Sequence, residues 1–218
     1  MDKSLAEVAT DDAPKRARGR PRKTPDERDD GNRRQALLSA AAKLFRRQGF
    51  DGTSTRDIAT AAGMQSGSPF YHFKSKDALL YAVMEAGMFS AIERQAKALR
   101  GKVPPANAAD AMRRLIKAHF EVLLGPGNDF VPVMLYEHRA LSAQERATLT
   151  ALQAKYEAAW TPVLQALHDS GQLRAPVKLS RLLILGALNW TVQWFDRKKG
   201  ASVDELTDAA MLLFLRPD

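Results

Sequence analysis

Ser54-Thr-Arg-Asp57, Ser142-Ala-Gln-Glu145 and Ser202-Val-Asp-Glu205 are one device placed three times along the chain. A serine with an acid three positions later forms a capping box, in which each side chain answers a backbone amide that the first helical turn leaves without an acceptor. Between these starts, apolar residues recur at helical spacing, as Ala36, Leu37, Ala40, Ala41, Leu44 and Phe45 do. Gly49, Gly63 and Gly171 stand where helices should stop. Alternating β-branched runs and Asn-Gly hairpins are missing. The expected fold is therefore all-α, with about nine helices.

The first expected helix ends at Gly49. It is followed by Thr55–Ala62, a short helix near Ser66–Phe73, and a long one that Ser75 caps and that runs to about Leu99. Beyond it come Ala108–Leu124, a short Phe130–Arg139, and a single long helix from Ser142 through about Asp169. Val177–Phe195 is apolar almost all round and should be buried on more than one side. Val203–Leu215 is last. The expected division is a basic tail over 1–31, a DNA-binding unit over 32–80 with a helix-turn-helix at 54–73, and a larger helical domain over 81–218.

The formal net charge of +8 favours a polyanionic partner. It is concentrated in the tail, which mixes charge, proline and glycine as a disordered segment does. Lys15–Lys23 holds six bases and no acid, and Arg18-Gly19-Arg20-Pro21 resembles an AT-hook core, whose arginines lie along a narrow A·T minor groove. Cysteine is absent, which excludes disulfides and thiolate metal sites. His119, His138 and His168 lack paired ligand spacing, so no metal and no cofactor is expected. No apolar run reaches the roughly 18 residues of a membrane span, and a soluble cytoplasmic protein is the expectation.

Two short helices joined through Gly63 and braced by a longer one read as a helix-turn-helix. The second helix of such a unit points its N-terminal residues at base edges in the major groove. Pro69 fits there: if Ser66 is the N-cap, the amide that Pro69 lacks would have no intrahelical acceptor anyway. Residues 33–84 resemble the TetR/AcrR family of bacterial transcriptional regulators. The match is carried by Ala41, Leu44, Phe45 and Gly49, by Thr55, Ile58, Ala59, Ala62 and Gly63, and by SGS..YHF.SK..L from Ser66. The departure is Pro69-Phe70, where the family carries an apolar residue and a tyrosine, so a phenolic hydroxyl is missing at Phe70. The resemblance places Gln65, Ser66, Gly67, Ser68 and Tyr71 at the DNA-facing start of the third helix, with Gln65 able to pair with adenine. Thr55, His72, Lys74 and Lys76 suit phosphates, and His72 reads equally as a packed side chain.

The same resemblance implies that the larger domain dimerises and senses a ligand. The last two helices are too apolar for a monomer's surface and would pack on their copies as a homodimer interface. Candidate pocket residues are Phe120, Phe130, Met134, Tyr136, Trp160, Trp190 and Trp194. LGALNWTVQWF (Leu185–Phe195) resembles a subgroup that responds to acyl-coenzyme A thioesters, which adds Arg181 and Asn189 as polar contacts. The resulting expectation is a repressor that binds palindromic double-stranded operator DNA and is released by a small effector, with no membrane partner. An architectural DNA-binding protein without an effector and a sensor of drug-type hydrophobes remain alternatives. An enzyme is not expected: the chain has no phosphate loop, Gly-x-Ser-x-Gly elbow or His-Glu-x-x-His pair.

Overall fold

A computed structural model describes residues 25–64, 69–125, 129–130, 133–134, 137, 140–196 and 199–216, with 25–29 and 69–70 by backbone alone. The described residues are helical, without a strand: α1 (Pro25–Gln48), α2 (Thr55–Ala61), α3 (Pro69–His72), α4 (Lys76–Leu99), α5 (Ala108–Leu124), α6 (Ala143–Ala158), α7 (Thr161–Asp169), α8 (Val177–Trp190) and α9 (Val203–Phe214). Seven of these have nine residues or more. None is long and apolar enough to cross a membrane.

All three capping boxes form, on α2, α6 and α9. The Ser75 side chain accepts from the Ala78 amide at the start of α4. Gly49 and Gly63 adopt φ of 77° and 71°, left-handed values that let the chain leave α1 and α2 sharply without a Cβ clash.

Four boundaries differ from the sequence expectation. α1 begins at Pro25, so helix reaches into the segment assigned to the tail. The helix expected over Ser142–Asp169 is two helices, because Pro162 has no amide to give the Ala158 carbonyl and its ring crowds that carbonyl. Trp160 fills the break and is fully buried. α8 stops at Trp190 and tightens into a 3-10 turn over Thr191–Gln193. α3 begins at Pro69, where proline's fixed φ suits the first helical position; the N-cap expected at Ser66 lies outside the described residues. So does much of the helix expected over Phe130–Arg139, of which Phe130, Val133 and Met134 are helical.

α4 is shared between the two halves. Its first turns bury Leu79, Leu80, Val83 and Met84, and its later turns bury Met88, Ala91 and Gln95. It packs on α1 at one end and on α5 and α6 at the other. On α5, Met112, Leu115, Ile116 and Phe120 are fully covered. α9 lies on α5 through Val203, Thr207 and Ala210. Two exposed pairs border that contact, Arg113–Asp208 and Lys117–Asp204, both at 2.6 Å. Exposed pairs of this kind contribute little to stability, so burial holds α9. α8 buries Ser180, Ile184, Leu185 and Leu188. Elsewhere on α8, Leu179, Leu182, Leu183 and Trp190 are exposed in the single chain, as are Leu212 and Leu213 on α9.

Candidate functional site

The helix-turn-helix is set by local chemistry. Ser54 caps α2 and its hydroxyl and amide both reach the Asp57 carboxylate, at 2.6 and 3.0 Å. Those hydrogen bonds, with the side-chain one first, hold the Asp57 pKa below the usual carboxylate range. Ile58 and Ala59 turn inward, and Phe73 buries its ring beneath the Arg34 guanidinium at 5.0 Å. Tyr71 is 81% exposed at the end of α3, and Lys74 is exposed beside it. Thr55 is half-buried at the first turn of α2. These three stand on one short-helix unit. Gln65, Ser66, Gly67 and Ser68, like Arg18 and Arg20, lie outside the described residues.

Two expected phosphate residues are placed differently. The His72 side chain is 7% exposed, 3.8 Å from the Asp30 carboxylate and edge-on to Tyr71, which is the packed reading. Lys76 is tied to the loop after α1. Its ammonium donates to the Phe50 and Thr53 carbonyls at 2.9 and 3.0 Å and sits 4.1 Å from the Phe50 ring centre. Two of its three N–H groups are thereby committed. The sequence hid this because the loop precedes Lys76 by more than twenty residues.

The larger half holds a cavity of ≈ 490 Å³. α4 lines it with Met88 and Ala91, α5 with His119 and Val122, and the connecting segment with Met134 and Leu141. α6 supplies Arg146, Leu149, Gln153, Tyr156 and Glu157, and α8 supplies Leu182, Leu185 and Asn189. Of the residues expected in a pocket, Met134 and Asn189 line this cavity. Phe120 is core, and Trp160 lies behind the wall, its ring edge-on to His119 at 5.9 Å. Phe130 is half-buried and packs on the core, Trp190 and Trp194 are exposed, and Tyr136 is outside the described residues. Arg181 lies in a neighbouring groove, held by Glu157 at 3.5 Å and Thr161 at 3.2 Å.

Sequence reading named Asn189 but passed over His119 and Tyr156 in the polar wall of this cavity. His119 is buried between the Tyr156 hydroxyl, 2.8 Å from Nδ1, and Asn189 Oδ1, 3.1 Å from Nε2. Burial drives the His119 pKa down to about 4 and raises that of Tyr156, so both are neutral near pH 7. Nothing in the spacing of residues 119, 156 and 189 signals this triad; it exists only once α5, α6 and α8 are packed.

Sequence reading also missed a strap between the two halves. Arg46 at the end of α1 pairs with Asp129 at 2.9 Å. The Phe50 amide donates to Glu137 Oε1 at 3.0 Å. Asp129 and Glu137 thus touch α1 and its following loop, while Met134 and Leu141 face the cavity.

Comparison with known proteins agrees with the helical fold. Residues 37–83 match the family model described as bacterial regulatory proteins, tetR family, and residues 105–217 match the tetracyclin repressor-like C-terminal domain. The transcriptional repressor KstR2 of Rhodococcus jostii is 27% identical over 199 residues, covering 88% of this chain and 96% of its own. Among solved structures, the superantigen PfiT is 36% identical with a TM-score of 0.69, covering 85% of this chain and 97% of its own. The TetR family regulator PfmR of Thermus thermophilus is 30% identical with a TM-score of 0.70, covering 81% of this chain and 95% of its own.

Two predictions follow from these placements. Lys76→Ala should cost about 1.5–3 kcal/mol in urea unfolding, as loss of hydrogen bonds from a charged donor does, and leave the salt slope of DNA binding unchanged. Lys74→Ala should leave stability unchanged and reduce that slope by about one unit. The second concerns acid. The His119 pKa lies below its unfolded value, so its contribution is complete above about 6.5 and is lost as pH falls towards about 4. Unfolding free energy should fall across this window by up to about 1.4 kcal/mol per pH unit, and His119→Gln should remove that part of the slope.

Proposed function

The chain belongs to the TetR family of bacterial regulatory proteins, and from that premise we propose that it is a ligand-responsive transcriptional repressor, binding palindromic operator DNA as a homodimer and releasing it when an apolar effector fills the cavity. The observation that carries this reading is the strap. Met134 and Leu141 border the cavity, while Glu137 and Asp129 in the same segment hold the Phe50 amide and Arg46. Phe50 and Thr53 lead directly into the cap of α2. A ligand that displaces Met134 also shifts the acid on which the helix-turn-helix rests. Tenfold release requires about 1.4 kcal/mol of coupling, within the usual range.

On the DNA side, Gln65, Ser66, Gly67, Ser68 and Tyr71 meet base edges, and Thr55 and Lys74 meet phosphates. Arg18 and Arg20 follow the minor groove beside the operator. The exposed leucines of α8 and α9 face a second copy, which sets two recognition helices roughly 34–36 Å apart on one side of the duplex. The similarity to a repressor supports repression.

The effector proposed is an acyl-coenzyme A thioester, its acyl chain in the cavity. Its anionic part meets Arg146, which is exposed at the cavity rim, because Arg181 is already paired with Glu157. A drug-type hydrophobe is the second reading, favoured by the apolar wall. Titration of free coenzyme A, octanoyl-coenzyme A and octanoate against the protein–operator complex tests this. Release by octanoate as readily as by the thioester removes the coenzyme; no release by any compound, drug-type hydrophobes included, favours an architectural DNA-binding protein.

Glu137→Ala should retain operator binding within about threefold and effector binding in the absence of DNA, yet lose most of the effector-driven release. Fluorescence anisotropy of labelled operator measures both; release equal to wild type would remove the strap from the mechanism. Leu183→Glu with Leu213→Glu should convert the sedimenting species from dimer to monomer and weaken operator binding by more than tenfold, because a buried charge is costly and half-sites then bind separately.

A further inference from the structure

Resting on the reading of the cavity as an effector site, we propose that Asn189 sets its specificity by donating a hydrogen bond to an uncharged carbonyl oxygen, so that the ligand is a ketone, ester or thioester rather than an ionised acid. The direction of this bond follows from the buried triad. A phenol has one proton to give, and Tyr156 stays protonated because burial disfavours its anion. Among the described residues, His119 Nδ1 is the acceptor in reach of that hydroxyl, at 2.8 Å. A neutral imidazole carries one proton, which therefore sits on Nε2 and is donated to Asn189 Oδ1 at 3.1 Å. With its oxygen engaged by His119, the Asn189 amide keeps its NH2 group, two donors, for a ligand in the cavity that the residue lines.

Several other polar groups of the wall already have partners of their own. The Thr150 hydroxyl donates to the Arg146 carbonyl at 2.9 Å, and the Gln153 amide to Glu157 at 2.9 Å. Glu157 holds Arg181, and Arg146 donates to the Leu141 carbonyl. Beyond these the wall is Met88, Val122, Leu149 and Leu185. An ionised carboxylate entering as far as Asn189 would give up water for a neutral imidazole, a neutral phenol and apolar carbon, with the Glu157 anion in the same wall and the Arg146 cation out at the exposed rim. Burial of an unpaired charge on these terms is expensive. A carbonyl oxygen loses far less and regains one hydrogen bond.

Calorimetric titration of the full chain without DNA tests the donor separately from the regulatory reading. The probes are 2-decanone, its apolar isostere 2-methyl-1-decene, and decanoate. Wild type should bind the ketone roughly three- to tenfold more tightly than the alkene, the range of one net hydrogen bond, and decanoate more weakly than the ketone. In Asn189→Leu the ketone's advantage should fall to near unity. As a readout on unaltered protein, the carbonyl stretch of bound 2-decanone should lie below its frequency in hexane. Equal affinity of wild type for ketone and alkene, an advantage that survives Asn189→Leu, an unshifted carbonyl stretch, or binding of none of the probes would each overturn the proposal. Ketone binding with the expected preference but no operator release would instead refute the regulatory reading and leave the donor in place.

Discussion

Everything in this molecule hangs on α4 having two burial tasks at once. Leu79, Leu80, Val83 and Met84 complete the small core beneath the helix-turn-helix, and Met88, Ala91 and Gln95 complete part of the larger one. A continuous helix cannot rotate one set without rotating the other, because packed interiors resist even methylene-sized changes. The two halves are therefore one mechanical body along this axis. Asp129 and Glu137 add a second connection, made of polar bonds to α1 and its loop. A rigid shaft with one weaker tie beside it is an arrangement in which a modest shift at the tie has a defined direction.

Much of this was legible in the residues. Capping boxes and glycine stops marked the helix ends because each is a local solution to a local shortage of hydrogen-bond partners, and local chemistry survives folding. The unit from Thr55 to Lys74 was legible for the same reason. The break before Trp160 was also written locally, in Pro162, but the periodicity that continues across it concealed the stop. What could not be read were the contacts that depend on which helices meet: Lys76 with the Phe50 and Thr53 carbonyls, Glu137 with the Phe50 amide, and His119 between Tyr156 and Asn189. The pocket expectation suffered most. Aromatic residues were natural candidates, yet Phe120 and Trp160 are needed for the core and Trp190 and Trp194 lie outside.

α8 separates the cavity from the outer surface by the thickness of one helix. Leu185 and Asn189 face the cavity, while Leu179, Leu183 and Trp190 face outward, where the second copy is proposed. In the proposed dimer, an effector and the second copy would press on opposite sides of the same element. Any preference of the ligand for one placement of α8 is felt by the partner as a change in fit, and the partner's hold alters ligand affinity by the same factor.

The placement of the tryptophans has a spectroscopic consequence. The chain has three: Trp160 is fully buried beside His119, whereas Trp190 and Trp194 are 63% and 57% exposed on and just after α8. The buried indole should emit at short wavelength and respond to what happens across the cavity wall, and the two exposed ones should emit further to the red and respond to anything that covers that face. Time-resolved emission from the unlabelled protein can therefore follow filling of the interior and covering of the exterior as separate components of one signal.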